Sequence, residues 1–276
     1  RGFGYWGQVL GAHAILLTYT VIATFPIILV ILNSFKSRRA IFRTPYDIPN
    51  PETFDLAGYL TVFRTAQFEL YFLNSSIVTL VSLALILFFG SMAAHALAEY
   101  RFFGNTAMAL YLAVGIMIPI RLGTVSILEM MVNLQLTDTL WALILVYTAQ
   151  GIPLAVFILT IFMQNVPGDV KDAARIDGAS EYRIYALILP LIRPALGAVA
   201  VLNMIPIWND LWFPLILASS EQSKTIILGA QIFLGQYVND WNAVLASLTL
   251  AMIPVIALYI IFSRQLIRGL TMGGVK

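Results

Sequence analysis

The chain has 276 residues, of which 60% are hydrophobic and only 11% charged. A soluble domain is roughly 45–50% apolar and about 25% charged, so this chain cannot hide its apolar surface in one water-filled setting, and lipid is its expected solvent. The net charge of +2 offers no basic patch for nucleic acid, and the lack of cysteine removes disulfides, thiolate metal sites and thiol nucleophiles.

Gaps between charges mark six expected membrane crossings. No Asp, Glu, Lys or Arg occurs over 2–35, 70–98, 102–120, 139–168 or 241–263, and 194–220 is broken only by Asp210. Crossing about 30 Å of hydrocarbon takes roughly 20 apolar residues. The expected span cores are 9–33, 71–98, 107–127, 139–163, 191–217 and 243–263. Barrel strands are excluded, because these runs are continuous and far longer than about ten residues. The fold class is therefore an all-α integral membrane protein with six transmembrane helices, forming one domain over 1–276 without a linker or internal repeat. No cleavable leader is expected, since the first apolar stretch exceeds a signal h-region and lacks a small-residue cleavage pattern.

In chain order, the first span carries a lone His13 and a peripheral Gly7-to-Gly11 pair. The stretch 34–69 follows as the longest non-membrane segment. Its Pro45, Pro49 and Pro51 forbid a continuous helix, while 53–59 is a place for a short helix to start. The second span holds a single His95, which reads as packing rather than metal binding, as does His13. Arg121 falls about 15 residues into the third span and Asp210 about 19 into the fifth, roughly 20–30 Å from the side bearing the termini. A charge at such depth costs on the order of 2.5–3.5 kcal/mol, so each is expected to face a cavity or a partner. In one reading Arg121 recognises an anionic or hydroxyl-rich solute, with Trp208, Asn209 and Asp210 at the same depth. In the other, which is favoured, Arg121 pairs structurally and Asp210 caps or orients the fifth span. Gln150, beside Gly151 and Pro153, sits mid-span where proline frees a carbonyl and permits a bend. Tyr5, Trp6, Tyr71 and Trp241 fit interface anchors.

Six crossings put both termini on one side. That side holds Arg1, Arg101, Lys171, Arg175, Arg183, Arg193, Arg264, Arg268 and Lys276, against Lys36, Arg38, Arg39, Arg43, Arg64 and Lys224 opposite. The basic excess places the termini in the cytoplasm.

The loop 164–190 joins the fourth and fifth spans. Its sequence reads as two short helices, with Asp169 capping the first and Asp172 completing a capping box. Val170, Ala173 and Ala174 share a face that lets another backbone approach. Gly178 stops the helix, and Ser180 caps a second one carrying Ile184, Leu187 and Ile188. Asp169, Lys171, Asp172, Arg175, Asp177, Glu181, Arg183 and Arg193 balance in sign, which suits a protein partner better than anionic lipid. An ordinary solvated helical hairpin is the other reading.

Asp172-Ala173-Ala174, Gly178 and Ile188-Leu189-Pro190 resemble the "EAA" loop of ABC-importer permeases, with Asp in place of Glu and no extra residue between Ile188 and Leu189. The run from Asp172 through Arg175 and Asp177 to Ala179, followed by Pro190 and Pro194, is similar to the carbohydrate branch. Asn33-Ser34-Phe35-Lys36, Asn74-Ser75, Leu136-Thr137-Asp138-Thr139, Trp208-Asn209-Asp210-Leu211-Trp212 and the tail from Arg268 extend the likeness to the smaller, six-span permease of maltose-type importers.

The resemblance implies a bacterial inner-membrane permease subunit that imports a sugar or sugar-derived solute and forms half of the pathway. Its implied partners are a second permease, an ABC ATPase dimer and a substrate-binding protein, which would face the segment 219–240. Asp172, Ala173, Ala174, Arg175, Asp177, Gly178 and Pro190 would dock the ATPase, and Arg121, Gln150, Trp208, Asn209 and Asp210 would be pathway candidates. The chain has no phosphate-binding Gly-rich loop ending in Lys-Ser/Thr. It is therefore expected to bind no cofactor and to leave ATP and Mg to the partner ATPase. An ion-coupled secondary carrier is the alternative, weakened by a single buried acid and no paired halves. An intramembrane enzyme finds no His-Glu-x-x-His or paired acids.

Overall fold

The computed structural model describes residues 3–65, 67–234 and 240–272. Their regular structure is helical, apart from one isolated bridge between Lys36 and Phe54. In chain order the helices are α1 (Phe3–Ser34), α2 (Arg38–Arg43), α3 (Ala57–Thr65), α4 (Phe68–Glu99), α5 (Asn105–Met117), α6 (Thr124–Asn133), α7 (Leu140–Gln164) and α8 (Gly168–Ile176). There follow α9 (Glu181–Leu191), α10 (Arg193–Trp208), α11 (Trp212–Leu217), α12 (Ile226–Ala230) and α13 (Trp241–Met272). Short 3-10 turns occupy Ile120–Gly123 and Gln231–Phe233.

Among the described residues, three helices are long and apolar enough to cross a membrane: α1 from Gln8 to Ser34, α4 and α7. Two bent pairs reach that length together, one formed by Asn105–Met117 and Ile120–Asn133 at 85°, the other by α9 and α10 at 74°. The first seventeen residues of α13, Trp241–Ala257, are a further apolar helix.

The third and fifth expected cores, 107–127 and 191–217, are therefore not continuous helices. Pro119 pushes Ile118 to φ −82°, ψ 117°, outside the helical region, and supplies no N–H to bond back into α5. The fifth core breaks at Asn209–Leu211, between α10 and α11. Arg121 and Asp210 consequently sit at helix breaks and not inside regular helix. The short helix expected from 53 begins instead at Ala57, whose N–H is taken by the Asp55 carboxylate at 2.8 Å.

The chain divides into two compact units, Arg1–Phe68 with Gly229–Met252, and Glu69–Leu228 with Ile253–Lys276. In the first, the motif after α1 becomes a polar knot. Asn33 donates to Pro45 O at 2.8 Å, buried Lys36 donates to Thr44 O at 2.8 Å, and Asn242 donates to Lys36 O at 2.7 Å. Burial holds the Lys36 ammonium below its usual pKa. Gly58 is required there, because a Cβ would lie 2.3 Å from the Asn242 carbonyl.

The second unit packs α4, α7, α9 and α10 around Ile86, Leu143, Leu159, Met163, Ile184, Ile188 and Val199. Missing side chains let its helices approach. A Cβ on Gly90 of α4 would lie 2.8 Å from Ala155 of α7, and one on Gly151 would strike Ile86 and Asn203 at 2.4 and 2.6 Å.

The segment after α11 is fastened by residues from far upstream. Asn74 donates to Gln222 O and Lys224 O at 2.8 and 2.9 Å, and Ser75 accepts from Ile226 N at 2.8 Å. Asp138 accepts from Ser220 N at 2.9 Å. Glu221 takes the Tyr71 hydroxyl at 2.5 Å and pairs with Lys224. Those bonds, from Lys224 first and Tyr71 second, hold the Glu221 carboxyl below its ordinary 4.5. A depressed carboxyl stabilises the fold fully above about pH 4.5, and that stabilisation is lost as pH falls through the lower folded value. In thermal melts, the gap between the native chain and Glu221→Gln should be constant at neutral pH and close as the pH falls below 4.5 and through the lower folded value. A gap that survives acidification would assign the effect to shape and not to charge. Gln236 lies outside the described residues, as do the side chains of Tyr5 and Trp6.

Candidate functional site

Two places carry the candidate residues: the helical hairpin α8–α9, and a cleft beside the two helix breaks.

The hairpin starts after Pro167. Asp169 does not cap it. The position before the helix is Pro167, with no side-chain capping bond, and Asp169 lies in the first turn, where its charge complements the N–H ends. Gly178 does stop the helix. At φ +76° it takes the left-handed conformation that favours glycine, with Gly178 N bonded to Arg175 O at 3.0 Å and Ala179 N to Ala174 O at 2.9 Å. Ser180 precedes α9 as expected, but its backbone carbonyl, not its hydroxyl, receives Arg183 N and Ile184 N. Ile184 and Ile188 are fully buried, whereas Leu187 is exposed. Pro190 lies inside the last turn of α9, and after Ile192 the chain turns into α10 with Pro194 near its start.

Asp172, Ala173, Arg175, Ile176, Asp177 and Gly178 are all exposed. Ala174 turns inward against the core, so the two adjacent alanines do not share one open face. Arg175 bridges Asp172 at 3.1 Å and Glu181 at 3.2 Å, and Tyr100 donates to Glu181 at 3.0 Å. One residue of α8 points the other way. Lys171 is buried, pairs with the Glu99 carboxylate at the end of α4, and donates to Met163 O at 3.2 Å near the end of α7. From the sequence Lys171 reads only as one charge on a balanced loop, because nothing local reveals a partner 72 residues away.

The cleft has a volume of about 570 Å³ and is lined by Arg121, Tyr147, Gln150, Asn203 and Asp210 among others. Asp210 is its hub. The carboxylate takes Tyr147 OH at 2.9 Å, Phe213 N at 3.1 Å, Trp212 N at 3.3 Å and Arg121 at 3.3 Å. It thus supplies the side-chain acceptors that the backbone N–H groups at the start of α11 need, the helix-orienting role considered from sequence. The Asp210 side chain is only 9% exposed and that of Arg121 is 65% exposed, so the acid is fixed and the guanidinium faces outward. The ring of Trp212 lies 5.9 Å from the guanidinium and donates to Thr124 at 3.0 Å, a role that sequence reasoning missed.

Gln150 is exposed on the cleft wall, beside Pro153. Trp208 and Asn209 do not join it: Trp208 is buried edge-on to Phe72 at 5.8 Å, and Asn209 donates to Ile205 O at 3.0 Å. No group of His, Cys, Asp or Glu among the described residues is placed to hold a metal ion.

Comparison with known proteins agrees over nearly the full length. Residues 86–272 match the family described as binding-protein-dependent transport system inner membrane component. The arabinooligosaccharides transport system permease protein AraQ of Halalkalibacterium halodurans is 35% identical over 258 residues, 92% of each chain. The diacetylchitobiose uptake system permease protein NgcG of Streptomyces coelicolor is 31% identical over 265 residues, 95% of this chain and 87% of that one. In three dimensions the chain is similar to one in a crystal structure of a bacterial ABC transporter involved in the import of the acidic polysaccharide alginate. The TM-score is 0.79 at 20% identity, covering 96% of this chain and 98% of that one, which speaks for the fold. An all-helical chain of apolar helices, matched by that family over two-thirds of its length, is a transport permease and not an enzyme: it belongs to the binding-protein-dependent transport system inner membrane components.

Proposed function

We propose that this chain is the smaller permease of an ABC importer for a sugar or sugar-derived solute and forms half of its translocation pathway. The six crossings in this reading are α1, α4, the bent α5–α6 pair, α7, α10 with α11, and α13, in a single permease domain over 1–276. Both termini are cytoplasmic, and the hairpin 164–190 lies on that side. There α8 seats in an ABC ATPase through Asp172, Ala173, Arg175 and Asp177, while Gly178 and Pro190 set the geometry of the hairpin. ATP and Mg are handled by that partner. A second permease completes the pathway, and a substrate-binding protein meets the opposite face, where Asn74, Ser75 and Asp138 fasten the segment after α11.

The observation that carries the reading is α8 itself: a short helix, closed by Gly178, that shows a mixed-charge face to its surroundings. The solute class is supported by the names of the relatives, whose cargoes are arabinooligosaccharides and diacetylchitobiose. The cleft fits a hydroxyl-rich solute, since Arg121, Gln150 and Asn203 join Tyr147 and Asp210 as polar groups on a mostly apolar wall.

The test is affinity purification of the tagged chain from native membranes in mild detergent, with co-purifying proteins identified by mass spectrometry. An ATPase with a phosphate-binding loop and a second multi-span permease are the expected companions. Recovery of the chain alone, or as a homo-oligomer across several detergents, would overturn the importer reading in favour of a secondary carrier.

A further inference from the structure

Lys171 is the one buried residue of α8, and its side chain, 8% exposed, meets a Glu99 carboxylate that is 7% exposed. The same ammonium donates to Met163 O, and the other Glu99 oxygen lies 3.9 Å from Arg175. One cation therefore joins α8 to the ends of α4 and α7. Both helices run directly to the cleft region: α7 contributes Tyr147 and Gln150, and Ile86 of α4 packs under Gly151 of α7.

Stability alone does not call for charges here. An apolar pair of similar volume commonly serves a buried position as well as an ion pair does. Apolar contact, however, is non-directional, and two helices joined by it can slide. A charge-assisted hydrogen bond fixes distance and angle together.

We propose that the Lys171–Glu99 pair is a positioning link that makes α8 move as one body with α4 and α7, so that a displacement imposed on α8 by its docked partner reaches the cleft. The inference rests on the importer reading above. Neither residue faces the solute or the nucleotide. Their part is to keep the motion of α8 from being absorbed between α8 and the spans.

The experiment uses the complex purified through the tagged chain, in lipid nanodiscs. Hydrogen–deuterium exchange is followed with and without a non-hydrolysable ATP analogue plus Mg. In the native complex the analogue should alter exchange in α8 and at the two helix breaks, 118–124 and 209–211. The key variant is Lys171→Met with Glu99→Met, which strands no buried charge and is therefore expected to fold. It should still recover the ATPase and keep the α8 response, while the response at the breaks falls about fivefold or more. Lys171→Arg, which keeps the charge, should retain both responses.

Full transmission in the double variant would overturn the inference and leave the importer reading standing. Loss of the ATPase from the double variant would also overturn it, by making the pair a support for docking and not for transmission. If the native chain recovers no ATPase, or the analogue leaves α8 unchanged, the importer reading falls and takes this inference with it.

Discussion

Asp210→Ala is expected to destabilise the chain by about 3 kcal/mol, from a buried phenol left without its acceptor and a helix start left without its cap. The carboxylate receives Tyr147 OH, Phe213 N and Trp212 N besides Arg121, and Tyr147 is itself buried. The Arg121 bond adds little to this sum, because an exposed guanidinium gains only about 0.2–1 kcal/mol from an ion pair. Arg121→Gln should therefore cost less than about 1 kcal/mol, leave assembly intact and impair uptake. Denaturant or thermal unfolding of the purified chain separates the two, with uptake measured on the same variants. If Asp210→Ala proves as mild as Arg121→Gln, the carboxylate does not hold the break between α10 and α11. It would then be free to meet a solute or a coupling ion, as an ion-coupled carrier requires. Unchanged uptake in Arg121→Gln would remove the guanidinium from the pathway.

The paired behaviour of these residues shows what a linear chain reveals and what it conceals. The apolar windows located α4 and α7 closely, because long charge-free stretches have few other solutions in lipid. The same windows concealed the breaks at 118–124 and 209–211, since composition reports hydrophobicity and not helical continuity. For the first break a local signal was present: Pro119 restricts Ile118 and stands just ahead of Arg121. Once the helix is broken there, Arg121 and Asp210 stop being two separate charges in two spans and become one contact. Gly178 was legible for the opposite reason. Its left-handed conformation is a local property that glycine alone adopts without strain, whereas the absence of an Asp169 cap follows from where Pro167 lets the helix begin.

Some motifs were visible before their work was. Asn74-Ser75 and Asp138 were recognisable as familiar pieces, yet only the fold shows that all three fasten the segment after α11. Trp208 and Trp212 belong to one motif, and the fold gives them opposite fates. The first is buried against Phe72, and the second is open beside Arg121. The break at 209–211 between them turns the second ring away from the register that an unbroken helix would impose.

Lys171→Met is expected to be the most damaging single change in the hairpin, at about 3–5 kcal/mol, because it leaves the buried Glu99 carboxylate without its hydrogen-bonded cation. Arg175, at 3.9 Å from the second Glu99 oxygen and already bonded to Asp172 and Glu181, is poorly placed to take over. Adding Glu99→Met to the same chain should recover most of the loss, since neither charge is then stranded and methionine adapts readily to an irregular gap. Thermal unfolding of the two single variants and the double one closes a mutant cycle, with an expected coupling of about 3 kcal/mol or more, the amount recovered plus the cost of Glu99→Met alone. A double variant whose loss equals the two single losses added together would mean that each side chain acts through separate contacts. Lys171 would then owe its burial to the Met163 carbonyl and its aliphatic stem, and α8 would be tied to α7 alone.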